Sequence, residues 1–121
     1  MPRNIIKILD KDFADMKKGQ KMYISSPEEV ASYIQGIPHG TTRTPKEMRA
    51  DLALQAGAEV TCPVSTGIFL RLAIEDVLKM FSIEESPLPF WRVVDEKHAV
   101  LKKLGLSADT IAKMRHLEQS S

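Results

Sequence analysis

The sequence predicts a mainly helical α+β domain, and three features of the chain support that prediction. A helix-start signal occurs twice, at Ser26 and at Thr44, each time as a capping hydroxyl followed by proline and then by glutamate three residues after the cap. A long apolar helix follows, from about residue 63 to residue 81. The segment FWRVV then has the aromatic and β-branched residues typical of a strand. In this order, the elements predict a helix-turn-helix followed by a short β-hairpin wing.

Apolar residues recur at helical spacing after each start signal. Val30 and Ile34 give the first helix one apolar face, and Met48 and Leu52 do the same for the second. Gly57 is expected to end the second helix in a left-handed conformation. The third helix carries one narrow polar stripe among crowded apolar residues, so we expect it to be mostly buried.

Two structures are possible for the segment after FWRVV. Residues 95–104 could turn back into a second strand and complete the wing, although the turn lacks the glycine that tight hairpins favour. The same residues could instead form a short helix that ends at Gly105. Ser107 then caps a last helix, with Leu106 and Ile111 spaced as a hydrophobic staple.

Length and composition indicate one small intracellular domain. The chain has 121 residues and one cysteine, Cys62, so no intramolecular disulfide can form. No stretch reads as a signal peptide or a membrane span, and we expect the protein in the cytoplasm without a membrane partner. The net charge of +1 is a point against a dedicated nucleic-acid binder, whose surface is usually clearly basic.

Neither a cofactor nor a metal site is expected. The three histidines have no metal-ligand spacing among themselves or with Cys62. Cys62 lies at the start of the third helix, where a helix dipole lowers a thiol pKa. Because no histidine is near it in sequence, we interpret it as a small helix-cap residue in preference to a reactive thiol.

Basic and small polar residues cluster around the predicted helix-turn-helix. The cations could hold phosphates, while the small residues approach a groove of the duplex. Interleaved carboxylates would fit an ordinary solvated surface equally well. The candidate DNA-binding residues are Arg43, Lys46, Arg49, Ser65, Thr66, Gly67, Arg71 and Arg92.

Four segments together resemble one family. They are SPEEVASYIQGIPHGTT, RTPKEMRADLA, CPVSTGIFLRLA and PLPFWRVV, and the resemblance that rests on them covers Ser26 to about Glu118, about three-quarters of the chain. This pattern is similar to the DNA-binding domain of alkylguanine-DNA alkyltransferases and of their non-enzymatic relatives, the alkyltransferase-like proteins. The resemblance implies an N-terminal extension at 1–22, an alkyltransferase-like winged-helix domain at 23–118 and a tail at 119–121.

The acceptor cysteine of that family is missing here. Enzymes of the family carry Pro-Cys-His-Arg before Val-Val, whereas this chain has Phe90-Trp91-Arg92 before Val93-Val94. Phe90 stands at the cysteine if the arginines align, and Trp91 stands there if one residue is skipped, as tryptophan does in the alkyltransferase-like proteins. Alkyl transfer needs a sulfur nucleophile, so we predict no enzymatic activity and no catalytic residue. Phe90 and Trp91 become candidates for an alkyl-base pocket, with ordinary core or wing packing as the other interpretation.

Two further positions depart from the family. Its members rotate the damaged nucleotide out with a tyrosine, whose place falls at Pro45 or Thr44, and fill the gap with an arginine, whose place falls at Val64. Neither contact can form here, and extruding a base has a cost that something must offset. The expected function is therefore non-enzymatic binding of double-stranded DNA, damaged or alkylated, without alkyl transfer. The alternative is a winged-helix module that has lost DNA binding and contacts a protein partner.

Overall fold

The computed structural model describes residues 5–120, which form an α+β fold with a small sheet. The strands are β1 (Ile5–Ile8), β2 (Lys21–Ile24) and β3 (Val60–Thr61). The helices are α1 (Pro27–Gln35), α2 (Pro45–Ala56), α3 (Pro63–Leu78), α4 (Val100–Leu104) and α5 (Ala108–Gln119), with a 3-10 helix at Phe90–Arg92. The predicted fold class, α+β and mainly helical, is confirmed.

The sheet lies at the N-terminal side of the chain. β2 pairs antiparallel with β1 and parallel with β3, in the order β1-β2-β3. Tyr23, opposite Thr61 in this register, is fully buried, and its hydroxyl donates to the Glu29 carboxylate. β1 and the first half of β2 belong to the predicted extension, 1–22, which therefore takes part in the sheet.

Both predicted helix-start signals are confirmed. The Ser26 hydroxyl accepts a hydrogen bond from the Glu29 backbone N–H at 3.2 Å. Thr44 and Glu47 form a reciprocal capping box, with side chain to backbone N–H distances of 3.0 and 2.8 Å. Gly57 ends α2 in the left-handed region at φ 77°, as expected from its lack of a Cβ.

Removing the Thr44 hydroxyl is expected to destabilise the protein measurably. T44A deprives the Glu47 N–H of its acceptor, and the free energy of unfolding should fall by about 1 kcal/mol in urea denaturation. T44S keeps the hydroxyl and serves as the control. Equal stability of T44A and the wild type would mean that the capping box contributes nothing.

One core connects the helices, because each contributes an apolar face. Val30 and Ile34 of α1 and Met48 and Leu52 of α2 are at most 1% exposed, which confirms the predicted faces. α1 packs against α3, and the 3-10 helix adds the fully buried Phe90 to the same cluster.

The predicted strand FWRVV and the β-hairpin wing are wrong. The Phe90 carbonyl accepts hydrogen bonds from the Val93 and Val94 N–H groups at 3.0 and 2.8 Å, so the chain turns instead of extending. This turn buries Phe90, Trp91, Val93 and Val94 together, whereas a strand would point neighbouring side chains to opposite faces. The alternative for residues 95–104 is confirmed, since α4 occupies Val100–Leu104 and Gly105 ends it at φ 69°.

The expectation that the third helix is mostly buried is also wrong. Val64, Ile68 and Leu72 are 56%, 46% and 40% exposed. These residues lie four apart, so they share one face of α3. Burial of α3 is confined to the opposite face, which includes Leu70 and Ile74, because α4 has only five residues and covers little of the outer side.

Candidate nucleic-acid interface

A groove runs between the N-terminal half of α3 and the segment that leads into α4. We call it the α3–α4 groove; its volume is about 430 Å³. Its lining residues are Pro63, Val64, Gly67, Ile68 and Arg71 on one side and His98, Ala99, Val100 and Lys103 on the other. The only permanently charged groups in this lining are the cations Arg71 and Lys103.

The absence of carboxylates distinguishes the α3–α4 groove from four other surface depressions formed by residues 5–120. Each of those four is lined by at least two acidic residues. The acidic pairs beside the predicted cations on α2 and just before it are Asp15 with Glu59 and Glu29 with Asp51. An anion would therefore be repelled by fewer negative charges in the α3–α4 groove than in the other four depressions.

Gly67 lies on the exposed side of α3, in the wall of this groove. A Cβ built there would meet no atom within 4 Å, and the backbone is not in the left-handed region. Helix packing and backbone geometry therefore do not require glycine at this position. Glycine inside a helix costs about 1 kcal/mol relative to alanine, so its presence here is not explained by stability. What Gly67 provides is a place where another molecule can approach the backbone closely.

Arg71 and His98 give the groove its polar chemistry. Arg71 is partly exposed, and its Nε lies 3.4 Å from Glu75 Oε1 one helical turn away. His98 accepts the Val100 N–H at Nδ1 at 3.0 Å. Burial lowers the pKa of His98 below its ordinary 6.5, against the opposing effect of Asp95, so the ring is neutral at pH 7.

Two of the sequence-predicted DNA contacts are engaged inside the protein. Thr66 is 4% exposed, and its hydroxyl donates to the Cys62 carbonyl at 2.6 Å. The Arg92 guanidinium donates to Glu118 at 2.9 Å and to the Ile37 carbonyl at 2.6 Å. Thr66 is directed to the buried face of α3, and Arg92 joins three parts of the fold, so neither side chain faces the α3–α4 groove.

The predicted cations on α2 and just before it lie on other surfaces. Arg49 Nη1 is 3.7 Å from Asp15 Oδ1, and Lys46 lines the same depression. Arg43 lines a different one, beside Asp51, which accepts a hydrogen bond from a tyrosine hydroxyl. Of the predicted set, Gly67 and Arg71 line the α3–α4 groove, and Ser65, half-buried, is their neighbour on α3.

The candidate pocket residues Phe90 and Trp91 differ in position. Their ring centroids are 5.5 Å apart in an edge-on arrangement. Phe90 is fully buried, whereas Trp91, 4% exposed, reaches a cleft of about 420 Å³ that Met114 and Glu118 also line. Packing in the core therefore accounts for Phe90, and Trp91 is the one of the two that borders open space.

Glu118 is the charged group of that cleft. Burial acts to raise its pKa, but the hydrogen bonds from Arg92, the nearby Trp91 indole and the charges of Arg92 and His39 outweigh burial, and the pKa lies below its ordinary 4.5. The carboxylate is thus ionised at neutral pH. An approaching phosphate would meet this negative charge beside an arginine that is already paired.

Cys62 is buried at the start of α3, without a side-chain capping bond. That position fits the small cap residue inferred from the sequence. Among residues 5–120, no three His, Cys, Asp or Glu side chains come together as possible metal ligands. Within the same range, no helix is both long and apolar enough to span a membrane.

Lys103 and His98 were missed by the sequence reasoning. They belong to the segment that could have been either hairpin or helix, and in the structure this segment lies opposite Gly67 and Arg71. The position of α4 beside α3 depends on tertiary packing, and no local pattern in the sequence predicts that position.

The fold and the groove together define the class of this protein, which is a small α+β domain with an exposed helix and an adjoining cationic groove. Neither a protein-family model, nor a curated protein, nor a solved structure matches this chain.

Proposed function

We propose that this chain is a non-enzymatic protein that binds double-stranded DNA through the α3–α4 groove. The observation that carries the proposal is the charge of the lining, which has Arg71 and Lys103 but no carboxylate. Electrostatic attraction to phosphates supplies essentially all of non-specific DNA affinity, so a cationic groove matters more than the net charge of +1. In this proposal α3 is the helix that faces the duplex, β3 separates it from α2, and α4 stands beside α3 where the hairpin was expected.

Each groove residue has a role in this proposal. Arg71 exchanges its exposed partner Glu75 for a phosphate, and Lys103 holds a second phosphate across the groove. Gly67 lets the backbone of α3 approach the duplex, with the Ser65 hydroxyl as a weakly selective contact. Damaged or alkylated duplex is the substrate class that the family resemblance adds. Trp91 borders a separate cleft beside Glu118 and has no role in this arrangement. Alkyl transfer is not part of the proposal, because Phe90 and Trp91 carry no thiol and Cys62 is buried.

The test is a salt titration of duplex binding. R71Q and K103Q should each reduce the slope of log affinity against log salt by about one unit, and weaken binding roughly fivefold to tenfold near 0.1 M salt. K113Q removes an exposed lysine from α5, outside the groove, and should leave the slope unchanged. Fluorescence anisotropy with a labelled 20-base-pair duplex gives both quantities.

Two results would contradict the proposal. Absence of binding at low salt would eliminate DNA as the ligand. Binding that R71Q and K103Q do not alter would move the interface to another surface.

A second function, a protein-interaction module without DNA binding, is favoured by one observation. The exposed face of α3 presents Val64, Ile68 and Leu72 to solvent, and exposed apolar residues in a row are typical of protein contacts. The same titration separates the two functions, because an apolar contact surface predicts no affinity for the duplex at any salt concentration.

A further inference from the structure

A second groove lies between α1 and the C-terminal half of α3. We call it the α1–α3 groove; its volume is about 570 Å³, the largest of the five depressions compared above. Its walls carry exposed apolar side chains, with Met80 81%, Phe81 41% and Leu72 40% exposed. Apolar side chains exposed together beside a groove are more often a binding surface than a chance feature.

The charge of this groove is opposite to that of the α3–α4 groove. Glu28, Glu75 and Asp76 line it together with a single cation, Lys79. A phosphate backbone would be repelled here, so the α1–α3 groove is not an extension of the DNA surface proposed above. A positively charged partner would be attracted.

The dimensions of the groove fit a short helix. Its lining extends from Pro27 to Gln35 on α1 and from Leu72 on α3 to Met80 just beyond its end, a span of nine residues, or eight steps, on each side. At 1.5 Å per residue, this is about 12 Å, or roughly two helical turns. Small side chains on the inner wall, Ala31 and Ala73, leave room for the side chains of a partner.

We propose that the α1–α3 groove docks a cationic amphipathic helix of a partner protein. Apolar side chains of that helix, spaced three and four residues apart, pack against Leu72, Met80 and Phe81. Its lysines or arginines face the carboxylates at the rim, Glu28 and Asp76. This contact is additional to DNA binding, since it uses the other half of α3 and the opposite charge.

The experiment uses the full chain and two synthetic peptides. Both are fluorescein-labelled 15-residue amphipathic helices with leucine along one face, at positions spaced i, i+3, i+4 and i+7. The first has lysine at all remaining positions, and the second has glutamate in place of every lysine. The lysine peptide should bind at least tenfold more tightly than the glutamate peptide. M80S should weaken that binding about tenfold, the effect expected when a buried methionine contact is lost. D76N should weaken it severalfold and reduce its dependence on salt.

Matched controls are available elsewhere in the chain. Leu54 of α2 is 80% exposed, almost the same as Met80, so L54S controls for M80S. Asp109, exposed on α5, supplies D109N as the control for D76N. Both control variants should bind the lysine peptide as the wild type does. Duplex binding by M80S and D76N should also be unchanged, which keeps this test separate from that of the DNA proposal.

Three outcomes would overturn the proposal. Equal binding of the two peptides would remove charge complementarity as the basis of recognition. Equal binding by M80S and L54S would place the peptide on another surface. Self-association of the chain in sedimentation equilibrium that M80S abolishes would make a second copy the occupant of the groove.

Discussion

Replacing Arg92 with methionine (R92M) is expected to lower the free energy of unfolding by about 3–5 kcal/mol. The Arg92 and Glu118 side chains are each only 13% exposed, and their closest N–O distance is 2.9 Å. The same guanidinium donates to the Ile37 carbonyl beyond the end of α1, so it connects α1, the 3-10 helix and α5. R92M removes the nearest cation from the largely buried Glu118 carboxylate, which costs more than the loss of an exposed ion pair.

Urea denaturation followed by circular dichroism measures this loss. K113M is the matched control, because it also introduces methionine, in place of an exposed cation of α5, and should change the stability little. A loss of less than 1 kcal/mol in R92M would show that Arg92 does not hold the three segments together.

The pH dependence of the same difference gives an independent check. The pKa of Glu118 is lowered in the folded protein, below its ordinary 4.5, so its ionised form stabilises the fold above pH 4.5. This contribution is lost as the pH falls through the lowered folded pKa. The difference in stability between wild type and R92M should therefore be largest near neutral pH and shrink on acidification below 4.5. A difference that stayed constant down to pH 2 would mean that the ion pair is not its source.

Arg92 illustrates which parts of this fold the sequence could predict. The caps at Ser26 and Thr44 were predictable because each partner is three residues away. The partners of Arg92 are 26 and 55 residues away, at Glu118 and Ile37, and no local pattern relates them. Arg92 was consequently predicted as a DNA contact, although its donors are used within the protein.

The wing was predicted wrongly for a related reason. The residues of FWRVV have high strand propensity, but such propensity mostly reflects how well a side chain fits a half-buried sheet face. Here the core receives Phe90, Trp91, Val93 and Val94 together, and a turn achieves this where a strand would not. Burial in the tertiary structure therefore outweighed the local preference.

The candidate groove was predictable in part. Gly67 and Arg71 share one line on α3 through helical periodicity, which the sequence contains. Lys103 and His98 join them only because α4 packs beside α3. The exposure of Ile68 and Leu72 depends on the same packing, since a five-residue helix cannot cover the outer face of a sixteen-residue one.

Introducing a cysteine at Phe90 (F90C) should destabilise the protein by about 3 kcal/mol without producing alkyl transfer. Phe90 is fully buried and contacts Trp91 edge-on, so its replacement by a smaller side chain leaves a cavity in the core. A thiol at this place is shielded from solvent, and burial in apolar surroundings raises a thiol pKa and suppresses the thiolate. F90L, which keeps most of the volume, should lose clearly less stability than F90C.

Intact-mass spectrometry after incubation with an O6-alkylguanine duplex tests the chemical half of this prediction. F90C should show no added alkyl mass, and W91C tests the other alignment, in which Trp91 stands at the acceptor position. A cysteine at 91 would border the cleft beside Glu118, whose negative charge disfavours a thiolate. We therefore expect W91C to remain unmodified as well. Alkylation of either variant above the rate of free cysteine would show that the site keeps the machinery of a transferase and lacks only its nucleophile.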